Sequence, residues 1–125
     1  MTPAEFEREW ARCSHWIEAA LRHGADHTSL EDVKEAIVAG HMYLWPAVDA
    51  AIVTQVVGSR RKECNLYLGG GSMATIERMI PVIEDYARSM GCEIMTVTGR
   101  RGWERTFLTK TAGYRPTATL YGKAL

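Results

Sequence analysis

The apolar positions change period twice along the chain, and those changes mark its elements. Phe6, Trp10, Cys13, Ile17 and Leu21 recur at spacings of four, three, four and four, which places them on one stripe of a helix. Trp16 and Ala20 widen the stripe. Thr2-Pro3-Ala4-Glu5 supplies the start, a capping box with proline at the first helical position, and Gly24 is the expected stop. Thr28-Ser29-Leu30-Glu31 repeats the capping signature, so Leu30, Val33 and Ile37 predict a shorter helix ending at Gly40.

The period then shortens. Met42–Trp45 is a short apolar run closed by Pro46, Ala50–Val57 is β-branched and apolar, Gly58–Lys62 is a polar turn, and Cys64–Leu68 is apolar again. The runs on either side of that turn predict an antiparallel hairpin. Helical spacing returns after Ser72, with Met73, Ile76, Met79, Ile80, Ile83, Tyr86, Ala87 and Met90 on one face and Gly91 as the stop. Pro81 lies inside this helix and is expected to kink it, because it removes the bond to the Glu77 carbonyl. Glu93–Thr98 completes a right-handed β-α-β unit with parallel strands. Arg101–Ala112, with Trp103, Phe107 and Leu108, predicts a fourth helix ended by Gly113, and Pro116–Leu125 alternates as a closing strand. The expected order is α-α-β-β-β-α-β-α-β, one α/β domain over residues 1–125 with a mixed sheet and helices on both faces.

Composition narrows the class. A hydrophobic fraction of 46% and a charged fraction of 24% are those of a soluble globular chain. No apolar run is long enough to span a bilayer, and the first residues lack a charged-then-apolar leader pattern, so the expected location is the cytoplasm. Cys13, Cys64 and Cys92 are odd in number and sit within apolar patterns. They read as small buried hydrophobes in a reducing compartment, with no disulfide framework and no metal site. The net charge is zero but unevenly spread: residues 1–57 carry four basic and nine acidic groups, and residues 99–125 carry six basic groups against Glu104. A basic end attracts a phosphate-bearing ligand or an acidic partner; alternatively, the two ends pack together and complement each other.

The chemistry concentrates at Leu66-Tyr67-Leu68-Gly69-Gly70-Gly71-Ser72-Met73, where a strand runs through three glycines into a capped helix. Such a junction presents backbone N–H groups to a phosphate; the same glycines also suit a tight turn with no ligand. The element order, this glycine turn and the step Ala112-Gly113-Tyr114 together resemble the GNAT superfamily of acyl-CoA N-acyltransferases, most clearly over residues 42–120. The resemblance implies a largely antiparallel sheet whose strand before the glycines splays from its neighbour. It implies that the backbone of Leu66, Tyr67 and Leu68 pairs with the pantetheine arm of acetyl-CoA or another acyl-CoA. The N–H groups of Gly69, Gly70, Gly71, Ser72 and Met73 would then hold the pyrophosphate. Two departures imply a degenerate site: Leu66 stands where the family's phosphate loop has Gln or Arg, and Thr109 stands where a tyrosine often protonates the leaving thiolate. Small divergent chains of this kind also resemble phage structural or assembly proteins, which implies virion association if the chain is phage-encoded and a protein partner or second copy as its binding target.

Outside the glycines, His41 and Glu63 are candidates for the base that an amine acceptor requires, and Tyr114 is close to the position of the missing acid. Each also fits an ordinary surface or core role. His23 and His27 have metal-ligand spacing, but Gly24 and the following cap make this a loop between helices. Arg60-Arg61-Lys62 could meet a CoA phosphate or simply solvate a turn. Arg100 and Arg101 lie at a strand's C-terminal end, where α/β sheets bind ligands. Trp10 reads as core and Trp16, at the edge of its stripe, as an interface anchor. Three functions follow: a GNAT-like protein with a degenerate acyl-CoA site, an active acetyl-CoA-dependent N-acetyltransferase, and, ranked last, a nucleic-acid-binding module using the basic C-terminal quarter.

Overall fold

The apolar stripe of the first helix forms as its spacing requires. In a computed structural model that describes residues 1–23, 27–58, 60–99 and 101–125 (the Arg101 and Glu104 side chains excepted), α1 spans Pro3–Arg22. The Thr2 hydroxyl accepts from the Glu5 N–H at 3.1 Å, and Trp10, Cys13 and Ile17 are buried. Next come α2 (Leu30–Val38), β1 (Tyr43–Pro46), β2 (Ala50–Val57), β3 (Glu63–Gly71), α3 (Met73–Ser89), β4 (Ile94–Val97), a 3-10 helix (Arg101–Arg105) and α4 (Phe107–Lys110). Ser29 and Asp32 close a reciprocal capping box on α2, so two donors of its first turn are satisfied by side chains.

The strands form one open sheet in the order β1-β2-β3-β4, antiparallel except for the β3–β4 pair. Side chains on its two faces build two cores. Ala51, Val53 and Leu68 pack beneath α1 and α2 with Trp10, Cys13, Ile17 and Val33. Ala50, Ile52, Cys64 and Leu66 pack against Ile76, Ile80, Ile83 and Ala87 of α3. Leu66 and Leu68 are two residues apart in one strand, yet they face opposite sides. The cause is a bulge: the β2–β3 register passes from Val53↔Leu68 to Thr54↔Leu66, so Tyr67 is an extra residue.

The hairpin, the parallel β3-α3-β4 unit and the helices on both faces agree with the reading of the sequence. α3 runs as one helix with Pro81 inside it, on the exposed side with Glu77, so the carbonyl that loses its partner faces water. Two details differ. The expected fourth helix is divided at Thr106, whose hydroxyl donates to the Trp103 carbonyl at 2.7 Å and accepts from the Leu108 N–H at 3.2 Å. One side chain thereby ends the 3-10 turn and caps α4, the competition with backbone bonding that threonine is suited to. Residues 116–125 form no strand and are exposed throughout. Among the described residues the ion pairs are Arg12–Glu9, Arg22–Glu18, Lys34–Glu7, Arg61–Glu93 and Arg88–Asp85, and none of these joins residues 99–125 to residues 1–57.

Cys13 and Cys64 are buried small hydrophobes and Cys92 is half-buried; all three are free thiols. Burial pushes the Cys64 thiol up to about 11, from an ordinary 9.0. The folded state therefore holds this proton more tightly than the unfolded chain, so its contribution to stability is complete below pH 9.0 and lost as pH rises towards 11. Chemical denaturation across that window should show falling stability, and Cys64→Ala should remove this part of the slope.

Candidate functional site

The three glycines belong to β3 rather than to a loop. Pairing with β2 continues through Ile52↔Gly69, Ala51↔Gly70 and Ala50↔Gly71, and Ser72 alone separates the strand from α3. Two of the glycines are demanded by close approach. A Cβ on Gly70 would lie 2.7 Å from the Trp16 carbonyl oxygen, and one on Gly71 would lie 2.4 Å from that of Asp49. Gly71 also has φ of +104°, a region that L side chains rarely occupy. Trp16 is half-buried against the α1 core, and its backbone seats the strand end.

At the start of α3 the Ser72 hydroxyl accepts from the Thr75 N–H at 3.3 Å, and the Ser72 carbonyl accepts from Ile76 at 3.0 Å. The N–H groups of Met73 and Ala74 are the remaining donors of this turn, and both residues are exposed. Two charged groups also meet there. The Thr75 hydroxyl donates to Asp49 Oδ1 at 2.6 Å and accepts from Arg78 Nη2 at 3.2 Å. Arg78 reaches back because helical side chains lean towards the N-terminus. It supplies a cation beside a turn that has none of its own, while Asp49 brings an anion that would oppose a phosphate.

The β3–β4 register covers Glu63–Leu66 against Ile94–Val97, and the Thr98 N–H donates to the Leu66 carbonyl at 3.1 Å. β3 continues for five more residues, to Gly71. Among the described residues, Leu68–Gly71 have β2 on one side and no strand on the other. Pairing of β3 with β4 thus ends at Leu66, and the start of α3 stands at the far end of the unpaired stretch. The Leu66 side chain lies in the α3 core and its carbonyl is engaged by β4, so the open edge begins beyond it.

On the α1 side of the sheet a polar ladder runs from Glu63, at the start of β3, to Thr98, where the two strands part. Gln55 Nε2 donates to Asn65 Oδ1 at 3.1 Å; Asn65 Nδ2 donates to the hydroxyls of Thr96 at 2.9 Å and Thr98 at 3.1 Å. The Thr96 hydroxyl in turn donates to Glu63 Oε2 at 2.7 Å. Glu63 is thus held in place by a buried asparagine, acting through a threonine. The alternation of Glu63 and Asn65 with apolar residues was visible in the sequence, but their partners on β2 and β4 were not.

The other candidates fall elsewhere. His41 is exposed after α2, and no hydrogen bond joins it to Glu63. The Tyr114 hydroxyl donates to Glu84 Oε2 at 2.8 Å, and burial together with that carboxylate pushes its ionisation well above the usual 10.0. Tyr114 is a packing residue against α3; Tyr114→Phe should cost about 1 kcal/mol of stability and leave any acyl transfer unchanged, as denaturation and a turnover assay would report. Arg61 pairs with Glu93 at 3.0 Å and Lys62 caps the Met90 carbonyl at 2.6 Å, at the end of α3. This hairpin tip and Gly71 lie at opposite ends of β3, roughly 26 Å apart, so it does not serve a phosphate site at the start of α3. Gly24, Ala25, Asp26 and Arg100 lie outside the described residues, as does the Arg101 side chain, and with them the His23–His27 loop and the strand-end arginines. Among the described residues no three His, Cys, Asp or Glu side chains form a metal-binding group.

No family model matches the sequence, and no curated protein matches it. Solved structures do resemble it. An acetyltransferase from Trypanosoma brucei superposes with a TM-score of 0.64 at 11% identity, covering 95% of this chain and 94% of that one. An aminoglycoside acetyltransferase from an uncultured soil metagenomic sample, in complex with trehalose, gives a TM-score of 0.65 at 10% identity over 94% and 90% of the two chains. A protein of Thermus thermophilus gives 0.62 at 13% identity over 95% and 92%. The fold is GNAT-like.

Proposed function

We propose that the protein binds an acyl-CoA in the cleft between β3 and β4, through a site reduced from the acyltransferase pattern. The observation that supports this most is the open edge of β3 leading directly into the start of α3. In this reading the pantetheine arm lies along the edge beside Leu68–Gly71, and the pyrophosphate meets the N–H groups of Met73 and Ala74 with Arg78 alongside. Polar donors at a helix N-terminus suit a diphosphate, and the dipole adds to them. The reduction is equally concrete: Leu66 is buried where a phosphate contact would be expected, Asp49 places a carboxylate at the same turn, and Tyr114 is engaged by Glu84. Acetyl-CoA at a hundred times its dissociation constant should stabilise the fold by about 2.7 kcal/mol, a rise in melting temperature of roughly 10 °C. An unchanged melting temperature at millimolar acetyl-CoA would contradict the reading.

A second reading, active N-acetyl transfer, is favoured by Glu63. Its carboxylate accepts from Thr96, which Asn65 holds together with Thr98 at the point where β3 and β4 part, so a proton taken from an amine acceptor there would reach Glu63 through water. Glu63→Gln should then lower turnover by about 10²–10⁴ while leaving the acetyl-CoA dissociation constant unchanged. Equal turnover in wild type and variant would remove Glu63 from that role.

A further inference from the structure

Asn65 is buried in the sheet, and its amide is held from three sides. Oδ1 accepts from Gln55, and the two protons of Nδ2 go to the hydroxyls of Thr96 and Thr98. Glu63 sets the direction of this ladder. An ionised carboxylate only accepts, so the Thr96 hydroxyl gives its proton to Glu63 and takes one from Asn65. With the amide turned that way, Asn65 is a donor to Thr98 as well. The Thr98 hydroxyl therefore keeps its own proton, and among the described residues no group accepts it. Thr98 is exposed and stands where β3 and β4 part, its N–H bonded to the Leu66 carbonyl just past the last paired residues. The other face of this fork is apolar. Trp103 packs into the α3-side core and lies so close over Gly99 that a Cβ there would be 2.7 Å from Trp103 Cδ1. A directed hydroxyl donor thus stands on the α1 side of the fork and an indole on the α3 side.

We propose that Thr98 is a specificity-determining residue whose hydroxyl donates to the thioester carbonyl of a bound acyl-CoA. This rests on acyl-CoA binding as proposed above, with the pyrophosphate at Met73 and Ala74. From there the extended pantetheine arm, about thirteen bonds from phosphorus to sulfur, spans roughly 16 Å. The strand from Gly71 back to Leu66 covers about the same length at ~3.3 Å per residue, so the sulfur end of the arm reaches the fork. A thioester presents one strong acceptor, its carbonyl oxygen, between an apolar sulfur and an apolar acyl group. Trp103 suits the apolar part and Thr98 the oxygen. Asn65 is the positioning residue, because it fixes which way the Thr98 hydroxyl donates.

Calorimetric titration of the full chain with acetyl-CoA and with S-ethyl-CoA, which has a methylene in place of the carbonyl, tests the assignment. The wild type should bind acetyl-CoA about three- to tenfold more tightly, the worth of one hydrogen bond. Thr98→Val, at an exposed position, should bring that ratio to one or below while S-ethyl-CoA keeps its dissociation constant. Thr98→Ser should keep the preference. Equal affinity of the wild type for the two ligands would overturn the assignment and leave acyl-CoA binding standing, as would a preference that survives Thr98→Val. Loss of both ligands in Thr98→Val would overturn it too, since the hydroxyl would then serve the fold. No binding of either ligand to the wild type would overturn the acyl-CoA reading and the assignment with it.

Discussion

Gly71→Ala should destabilise the protein by about 3–5 kcal/mol, a sum of steric overlap and a strained backbone. The added methyl would lie 2.4 Å from the Asp49 carbonyl oxygen and 2.5 Å from the Ala50 Cα. Both are backbone atoms of the turn into β2, whose position is fixed by the Gly71↔Ala50 pairing and by the Ser72 N–H bond to the Asp49 carbonyl at 2.8 Å. Neither can move without unpairing the strand end, and φ of +104° adds strain wherever the methyl goes. The control is Gly69→Ala, whose nearest neighbour, Ile52 Cγ1, is at an ordinary 3.6 Å. Its effect on a urea midpoint should be small, because a strand residue replaces a flexible one where space exists. If the glycines served a ligand alone, both substitutions would leave stability intact and differ only in binding.

The second large effect is on binding. Ala74→Glu should weaken acetyl-CoA by tenfold or more while leaving the fold as stable as before or slightly more so. Position 74 is exposed in the first turn of α3, where a carboxylate interacts favourably with the helix dipole by about 0.3–1 kcal/mol. The same charge occupies the donors that a pyrophosphate would use and repels it. Stability and affinity thus move in opposite directions, a signature that damage to the fold cannot produce. Gly70→Glu would be a poor substitute, since its Cβ would strike the Trp16 carbonyl and any loss of binding could reflect misfolding. Titration calorimetry on Ala74→Glu, beside a melting curve, provides both readings.

What the sequence disclosed was what local rules determine. The stripe Trp10-Cys13-Ile17 and the caps Thr2 and Ser72 depend on neighbours within one turn, and each forms as its spacing requires, whereas the α2 cap falls on Ser29 with Asp32, one residue beyond the Thr28–Glu31 signature. The glycine run lay beyond such rules, because three glycines have little strand preference of their own; β2 opposite holds them in the sheet. The bulge at Tyr67 follows from two strands meeting out of step, which neither strand's pattern shows alone. Asp49 and Arg78 come together on Thr75 from positions 29 residues apart, so no motif could join them. Residues 117–125 have a strand's alternation, but none of the described strands pairs with them. Thr106 had the opposite problem: its local hydrogen bonding was available to the eye, but a helical pattern on both sides concealed it.

Amide resonances of the labelled protein, titrated with CoA, test the central claim most directly. Binding in the cleft should shift Leu68, Gly69, Gly70, Gly71, Met73 and Ala74 in saturable fashion, with Arg78 Nε moving alongside, and should leave the hairpin tip at Arg60–Lys62 unmoved. Saturable shifts confined to another surface, or none at millimolar CoA, would contradict it.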